Sequence, residues 1–126
     1  MKSHLCYQKQ NTMKELKLED LRVGDYVYRN GFPYKMTLQT FYDLVAFLRL
    51  QDFRPMPLTT KILERSGFYV DKVKAHIKYG ELGTLFQLNI VNGEFEFTWG
   101  AVKVETVHHL QNLYRDLVKE ELNIIF

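Results

Sequence analysis

The chain has 126 residues, of which 46% are hydrophobic and 14% aromatic, and its formal net charge is +2. This composition excludes a disordered chain, and the nearly neutral charge gives no general attraction to nucleic acid or to membrane surfaces. Cys6 is the one cysteine, which excludes an internal disulfide and fits a reducing compartment. No apolar stretch approaches the roughly 18 residues of a membrane span, and no apolar run follows Lys2 as in a signal peptide. We therefore expect a cytoplasmic protein without membrane contact.

The first residues differ in character from the rest of the chain. Residues 1–12 are mostly polar and show no hydrophobic periodicity, which predicts a flexible extension. A single domain is predicted over residues 13–126, because this length is typical of one domain. Met13 opens the more regular stretch, so Met1 and Met13 are both candidate starts of translation.

A β-hairpin is predicted near the start of the domain. Residues 26–28 favour a strand, residues 30–31 (Asn-Gly) favour a tight turn, and the return strand covers residues 32–36. Pro33 cannot donate a backbone hydrogen bond, which places the return strand at a sheet edge. The leucine-x-x-glycine-aspartate-x-valine pattern of residues 21–27 resembles the first strand of SH3-like small barrels.

The next segment, residues 37–50, is compatible with a helix or with a strand. Phe41, Leu44, Val45 and Leu48 recur at helical spacing, whereas the aromatic and β-branched content favours a strand. We prefer the helix, with a threonine at its start as the cap. Aromatic side chains here are expected in the core, and exposure of any of them would indicate a partner surface. The cap candidates are Thr37 and Thr40, and the aromatic residues are Phe41, Tyr42 and Phe47.

A short helix is predicted over residues 58–66. Thr59 is expected to cap its start, and Gly67 occupies the position where a left-handed residue ends a helix. Phe68 then falls where it can pack on Leu63, as in a Schellman ending.

The most informative part of the chain is residues 73–104, which predict an antiparallel meander. Residues 73–79 and 85–91 alternate apolar and polar side chains, and Asn92-Gly93 favours a type I′ turn that fixes the register of the following strand. Residues 102–104 are the fourth strand. The predicted cross-strand pairs are Ile90 with Phe95, Leu88 with Phe97, Phe86 with Trp99, Asn89 with Glu96, Gln87 with Thr98, Ile77 with Phe86, Ala75 with Leu88, Val73 with Ile90, His76 with Gln87 and Lys74 with Asn89.

A C-terminal helix is predicted after Thr106, its N-cap. Its apolar stripe is expected to cover the apolar face of the meander. The predicted fold is therefore α+β: an antiparallel β-meander, with an SH3-like N-terminal hairpin, packed against a C-terminal helix and one or two short helices. The stripe residues are Val107, Leu110, Tyr114 and Leu117.

Two blocks of the sequence are similar to blocks of other proteins. Residues 55–68, PMPLTTKILERSGF, are similar to a proline-leucine-threonine-glutamate-glutamate-isoleucine-leucine block followed by glycine-phenylalanine. Residues 107–114, VHHLQNLY, are similar to a valine-histidine-x-leucine-glutamine-asparagine-leucine-tyrosine block. Both resemble a family of small hypothetical proteins of gut bacteria, their phages and mobile elements. The chain departs from that family at Thr60-Lys61, where acidic residues are usual, and at Lys119, where glycine is frequent. The resemblance implies a mobile-element setting and supplies no active site.

Chemistry-bearing side chains concentrate in the second block. His108 and His109 are adjacent and point about 100° apart on a helix, so they cannot chelate one metal from one face. Gln111 and Asn112 are able to orient a ligand or to bond a loop backbone. No catalytic, metal-binding or cofactor-binding residues are identified. The candidate interaction surface consists of His108, Gln111, Asn112, Tyr26 and Tyr28.

A basic row on the outer face of the meander is the remaining candidate. Lys74, His76 and Lys78 point outward, but Glu94 and Glu96 share that face, which predicts a solvated surface of mixed charge. No phosphate loop, nucleophile elbow, paired-cysteine zinc site or calcium loop is present.

The sequence therefore favours a small non-enzymatic module that binds another protein. The resemblance suggests a host factor as that partner. One alternative is a nucleic-acid-binding accessory protein, and another is a small enzyme with an unrecognised site. A homodimer through the edge strand near Pro33 or the apolar part of residues 44–48 also fits the sequence.

Overall fold

The computed structural model describes residues 15–97 and 102–126. Within them it shows an α+β fold with antiparallel strands, as the sequence predicts. The chain divides into two compact units, Met1–Met56 and Pro57–Phe126. The extension predicted for residues 1–12 and the pairs of Trp99 with Phe86 and Thr98 with Gln87 lie outside the described residues. The single domain predicted over residues 13–126 stays a prediction.

The N-terminal unit contains a three-stranded sheet within its described residues. Strands β1 (Tyr26–Arg29), β2 (Phe32–Lys35) and β3 (Phe53–Arg54) have the order β2-β1-β3, and helix α1 (Leu38–Ala46) follows β2. The predicted hairpin is confirmed: Asn30 and Gly31 both have positive φ, as a type I′ turn requires. Strand β2 lies at the sheet edge, as Pro33 predicts.

The segment after the hairpin is a helix, so the preferred alternative for residues 37–50 is confirmed. Thr37 caps α1, since its hydroxyl accepts the backbone N–H of Thr40 at 3.1 Å. Thr40 is buried inside the first turn, and its hydroxyl bonds the Tyr34 hydroxyl at 2.6 Å. The unit's core is a cluster of buried side chains against which one face of α1 packs. That cluster comprises Leu16, Leu21, Val27, Met36 and Phe53, with Tyr34, Phe41, Leu44, Leu48 and Leu50 packed against it.

The C-terminal unit contains a five-stranded antiparallel sheet within its described residues. Its order is β4-β5-β6-β7-β8. The predicted cross-strand pairs whose described residues lie within the three central strands are confirmed. Val73 lies one residue before β5, where its carbonyl accepts the N–H of its predicted partner Ile90 at 2.8 Å. The strands are β4 (Tyr69–Val70), β5 (Lys74–Tyr79), β6 (Thr84–Val91), β7 (Glu94–Phe97) and β8 (Val102–Lys103).

Two helices complete this unit, α2 (Thr60–Arg65) and α3 (Val107–Val118). Thr59 and Thr106 cap them as predicted, each accepting a backbone N–H from the residue three positions later. The Schellman ending of α2 is also confirmed: Gly67 has φ +101° and the Phe68 N–H donates to the Leu63 carbonyl at 2.9 Å.

Helix α3 packs on the sheet through aromatic contacts. The Tyr114 ring lies edge-on to Phe86 at 5.1 Å and to Tyr79 at 6.4 Å between centroids. Phe86 in turn stacks on Phe97 at 5.3 Å. The helix therefore covers the apolar face of the meander, which leaves the opposite face of the sheet as its polar side.

Candidate interaction surfaces

Three of the five predicted site residues lie on α3, and two of them are buried. His108 and Gln111 belong to the buried polar residues, whereas Leu117 is about half exposed. The prediction that Leu117 lies in the buried stripe is wrong. At about 100° per residue, Gln111 lies about 40° from Val107 on one side, and Leu117 lies about 80° from it on the other. The buried face of α3 is thus rotated toward the histidine and glutamine.

Asn112 belongs to a hydrogen-bond network at the end of α3. Its Oδ1 accepts Nη1 of Arg115 at 2.6 Å. Arg115 also donates to both carboxylate oxygens of Glu121, from Nε at 2.6 Å and from Nη2 at 3.0 Å. A two-pronged guanidinium–carboxylate pair of this kind fixes geometry well. Asn112 therefore helps to hold the chain just beyond the helix, and ligand binding by these three helix residues stays a prediction.

The other two predicted residues, Tyr26 and Tyr28, lie on the face of the N-terminal sheet that points away from its core. Alternation along β1 places Val27, which is fully buried, on the core face, so both tyrosines are on the opposite face. Both tyrosines are partly exposed. The sequence predicts a strand here, and the part of these two tyrosines in an interaction surface stays a prediction.

Two cations share that face with the tyrosines. Lys35 is the cross-strand neighbour of Tyr26, with Nζ 5.9 Å from the ring centroid, and Arg54 is the cross-strand neighbour of Tyr28. Both cations are exposed, and so is Pro33 on the other side of Tyr28. We call this set of residues the aromatic–basic face: Tyr26, Tyr28, Pro33, Lys35 and Arg54.

Arg29 marks the boundary of that face. It follows Tyr28 on β1, and alternation turns it to the core side of the sheet. Its guanidinium lies 5.1 Å from the ring centroid of Tyr34 and 5.2 Å from that of Phe53, two rings that meet edge-on at 5.9 Å. Cation–π contacts to two rings hold this arginine in place, so we assign it to packing.

A second exposed surface lies on α1 of the same unit. Leu38, Tyr42 and Val45 are 59%, 64% and 81% exposed. Their spacing of four and three residues places them in one row along the helix. We call these three residues the outer stripe. Phe47, the C-cap residue, is 72% exposed beyond the end of the row.

The exposure of Tyr42 and Phe47 contradicts the expectation that the aromatic residues of this segment are core. Of the three aromatic residues Phe41, Tyr42 and Phe47, only Phe41 packs against the core cluster, as Leu44 and Leu48 also do. The signal was present in the sequence: α1 has large apolar side chains on two faces, and a helix that covers one sheet face can bury only one of them. The sequence prediction also stated that such exposure indicates a partner surface.

The outer face of the five-stranded sheet has mixed charge, as predicted. Lys74, Asn89, Glu96 and Lys103 form a row across four strands. Lys103 Nζ lies 3.2 Å from a carboxylate oxygen of Glu94. This hydrogen-bonded carboxylate raises the pKa of the Lys103 ammonium above its ordinary value. Alternating charges of this kind form no continuous basic track for a phosphate backbone.

A shallow depression also lies in the N-terminal unit. Residues 15, 16, 50, 51 and 53–55 line a depression of about 230 Å³ in the N-terminal unit. That is below the roughly 300–1,000 Å³ of small-molecule sites. The part of the chain that the structure describes holds no cluster of three or more metal-ligating side chains. Among the same residues, none of the helices combines the length and apolar content needed to cross a bilayer.

Comparison with known proteins finds no matching family, no similar curated protein and no similar solved structure. The resemblance of residues 55–68 and 107–114 to small proteins of phages and mobile elements therefore stays a prediction. Function has to be argued from the surfaces of this chain.

Proposed function

We propose that the protein is a non-enzymatic module that binds a partner protein through the outer stripe of α1. The observation that carries this proposal is the exposure of Leu38, Tyr42 and Val45 in one row. A helix that packs one apolar face on its own unit gains nothing from a second apolar face in water. An exposed apolar row of this size is typical of protein interaction sites.

The available area is sufficient for a modest interface. With Phe47 included, the four exposed residues present roughly 600 Å², taking about 150–250 Å² for each large side chain and scaling by exposure. A standard interface buries about 800 Å² on each partner. At about 25 cal/mol per Å² the gross gain on this side is about 15 kcal/mol, against an association cost of about 4–15 kcal/mol. The stripe must therefore be almost completely covered in the complex.

The charge of α1 restricts the partner surface. Asp43 is the one charged residue of the helix, and its carboxylate accepts the amide of Gln39 at 2.9 Å. The helix itself brings this one charge to the neighbourhood of the stripe, so we expect apolar contact to dominate recognition there. We propose an apolar helix or groove of the partner as the contacting element. A cytoplasmic setting is part of the proposal, and it is supported by the single cysteine.

Affinity capture from an extract of the natural host, with the full chain as bait, tests the proposal. The bait variant Leu38→Ser/Val45→Ser removes apolar area from the stripe. Its matched control is Leu82→Ser, because Leu82 is 95% exposed in the turn between β5 and β6. We expect a protein that wild type and the Leu82 variant capture and the stripe variant does not. Recovery of the same proteins by all three baits, or of none by wild type, would overturn the proposal.

A further inference from the structure

We propose that the aromatic–basic face of the N-terminal sheet binds single-stranded nucleic acid. This site is separate from the outer stripe of α1, and its ligand is different in kind.

The tyrosines have the spacing of a base-stacking platform. Tyr26 and Tyr28 are two residues apart on the central strand, so their Cα atoms lie about 7 Å apart on one face. Successive unstacked bases can each stack on one such ring, and stacking tolerates any base because every base has a π face. A duplex cannot use the rings in this way, because its bases are already stacked on one another.

The charge of the face selects an anionic ligand. Each tyrosine has a cation as its cross-strand neighbour: Lys35 beside Tyr26 and Arg54 beside Tyr28. The three strands, as the structure describes them, contain neither Asp nor Glu. Two cations that flank two rings are able to contact the phosphates of the nucleotides whose bases stack on those rings.

The sheet edge disfavours an extended peptide as the ligand. Arg29 and Phe32 close the two-residue turn as a hydrogen-bonded pair, so Pro33 and Tyr28 form a non-hydrogen-bonded pair. The backbone nitrogen of Pro33 therefore points outward along the β2 edge, where an added strand would need a donor. Without that donor, a peptide cannot extend the sheet along β2, whereas a nucleic acid lying across the face needs no edge.

Binding of a fluorescein-labelled oligothymidylate of 12 nucleotides to the full chain, measured by fluorescence anisotropy, tests the proposal. Tyr28→Thr removes the ring and introduces a β-branched residue, which favours a strand. Tyr28→Phe keeps the ring. Tyr69→Thr is the matched control, because Tyr69 is an exposed tyrosine on β4 of the other sheet. Far-UV circular dichroism and a thermal melt confirm that each variant folds.

We expect Tyr28→Thr to weaken binding about tenfold, and Tyr28→Phe and Tyr69→Thr to leave it within about twofold. Two phosphate contacts on a single strand give a slope of about −1.4 in log K against log salt, so affinity falls about sevenfold between 20 and 80 mM salt. A 12-base-pair duplex should bind more weakly than the single strand.

Three results would overturn the proposal. These are no binding at 20 mM salt, equal binding by Tyr28→Thr and Tyr28→Phe, or a duplex preferred over the single strand. If Tyr28→Thr unfolds, Lys35→Gln/Arg54→Gln takes its place, with Lys74→Gln/Lys78→Gln on the other sheet as its control. Only the double substitution at Lys35 and Arg54 is expected to weaken binding. Equal binding by the two double variants would overturn the proposed nucleic-acid site.

Discussion

Lys119 is a position where the backbone conformation favours glycine over a residue with a Cβ. It ends α3 in the left-handed conformation, with φ 66° and ψ 27°, and its backbone N–H donates to the Arg115 carbonyl at 3.0 Å. A residue with a Cβ carries about 1–2 kcal/mol of steric cost in this conformation, and glycine carries none. Replacing the residue by glycine would relieve this steric cost, but the extra freedom of glycine in the unfolded chain offsets about 0.5–1 kcal/mol of the relief. The backbone gain of glycine is therefore about 0.5–1 kcal/mol, and the loss of the Lys119 ammonium from the helix C-terminus offsets much of it in the comparison with wild type.

The measurement is urea unfolding followed by far-UV circular dichroism. Lys119→Ala is the control, because alanine keeps the Cβ and loses the ammonium, which favours a helix C-terminus by about 0.3–1 kcal/mol. Both variants lose that charge, so the difference between glycine and alanine isolates the backbone. We expect glycine to be the more stable of the two by about 1 kcal/mol, and Lys119→Asn to fall between them.

A glycine variant no more stable than the alanine variant would refute this reasoning. It would mean that a Cβ carries no steric cost at this position, since both variants keep the bonds between Arg115 and Glu121 on either side of it.

Two further predictions concern pH. Burial raises the pKa of the Tyr114 phenol above its ordinary value. The phenol's contribution to the free energy of unfolding is therefore complete below about pH 10 and is lost as pH rises through the folded-state pKa. Tyr114→Phe should remove this alkaline loss of stability in urea titrations between pH 8 and 11. Two backbone N–H groups at the start of β5 lower the pKa of the Asp71 carboxyl. The carboxylate's contribution to the free energy of unfolding is therefore present above the ordinary pKa and is lost as pH falls through the lowered pKa. Asp71→Asn should reduce the loss of stability between pH 5 and 2, and an unchanged loss would contradict the assignment.

The register of the five-stranded sheet was predictable because a turn and an alternation rule agree there. Asn92-Gly93 fixes which residues face each other, and the two-residue periodicity then sorts every pair. The strands β3 and β4 were not predicted, because each has two residues, which show no alternation, and neither follows a predicted strand of the meander as the equally short β8 does. Only the longer neighbours with which they pair define them.

The candidate surfaces were harder to predict than the fold. Whether an apolar side chain of α1 is buried depends on which of two apolar faces meets the core, and the sequence of the helix contains both. Phe41 and Tyr42 are adjacent and chemically similar, yet one packs on the core and the other is exposed. The same limit applies to α3, where a rotation of the helix buries His108 and Gln111 and exposes Leu117. Periodicity identifies the faces of a helix, whereas the packing partner decides which face is hidden.

Added salt should affect the affinities of the two proposed interactions in different ways. Contact through the outer stripe buries apolar area next to a single charged residue, so its affinity should hold or rise with added salt. Contact through the aromatic–basic face depends on Lys35 and Arg54, so its affinity should fall with the slope of two phosphate contacts. Leu38→Ser/Val45→Ser should remove the first interaction and leave the second unchanged, whereas Tyr28→Thr should weaken the second about tenfold and leave the first unchanged. If both variants affect one ligand and neither affects the other, the two surfaces form one site, and the division of function between them is wrong.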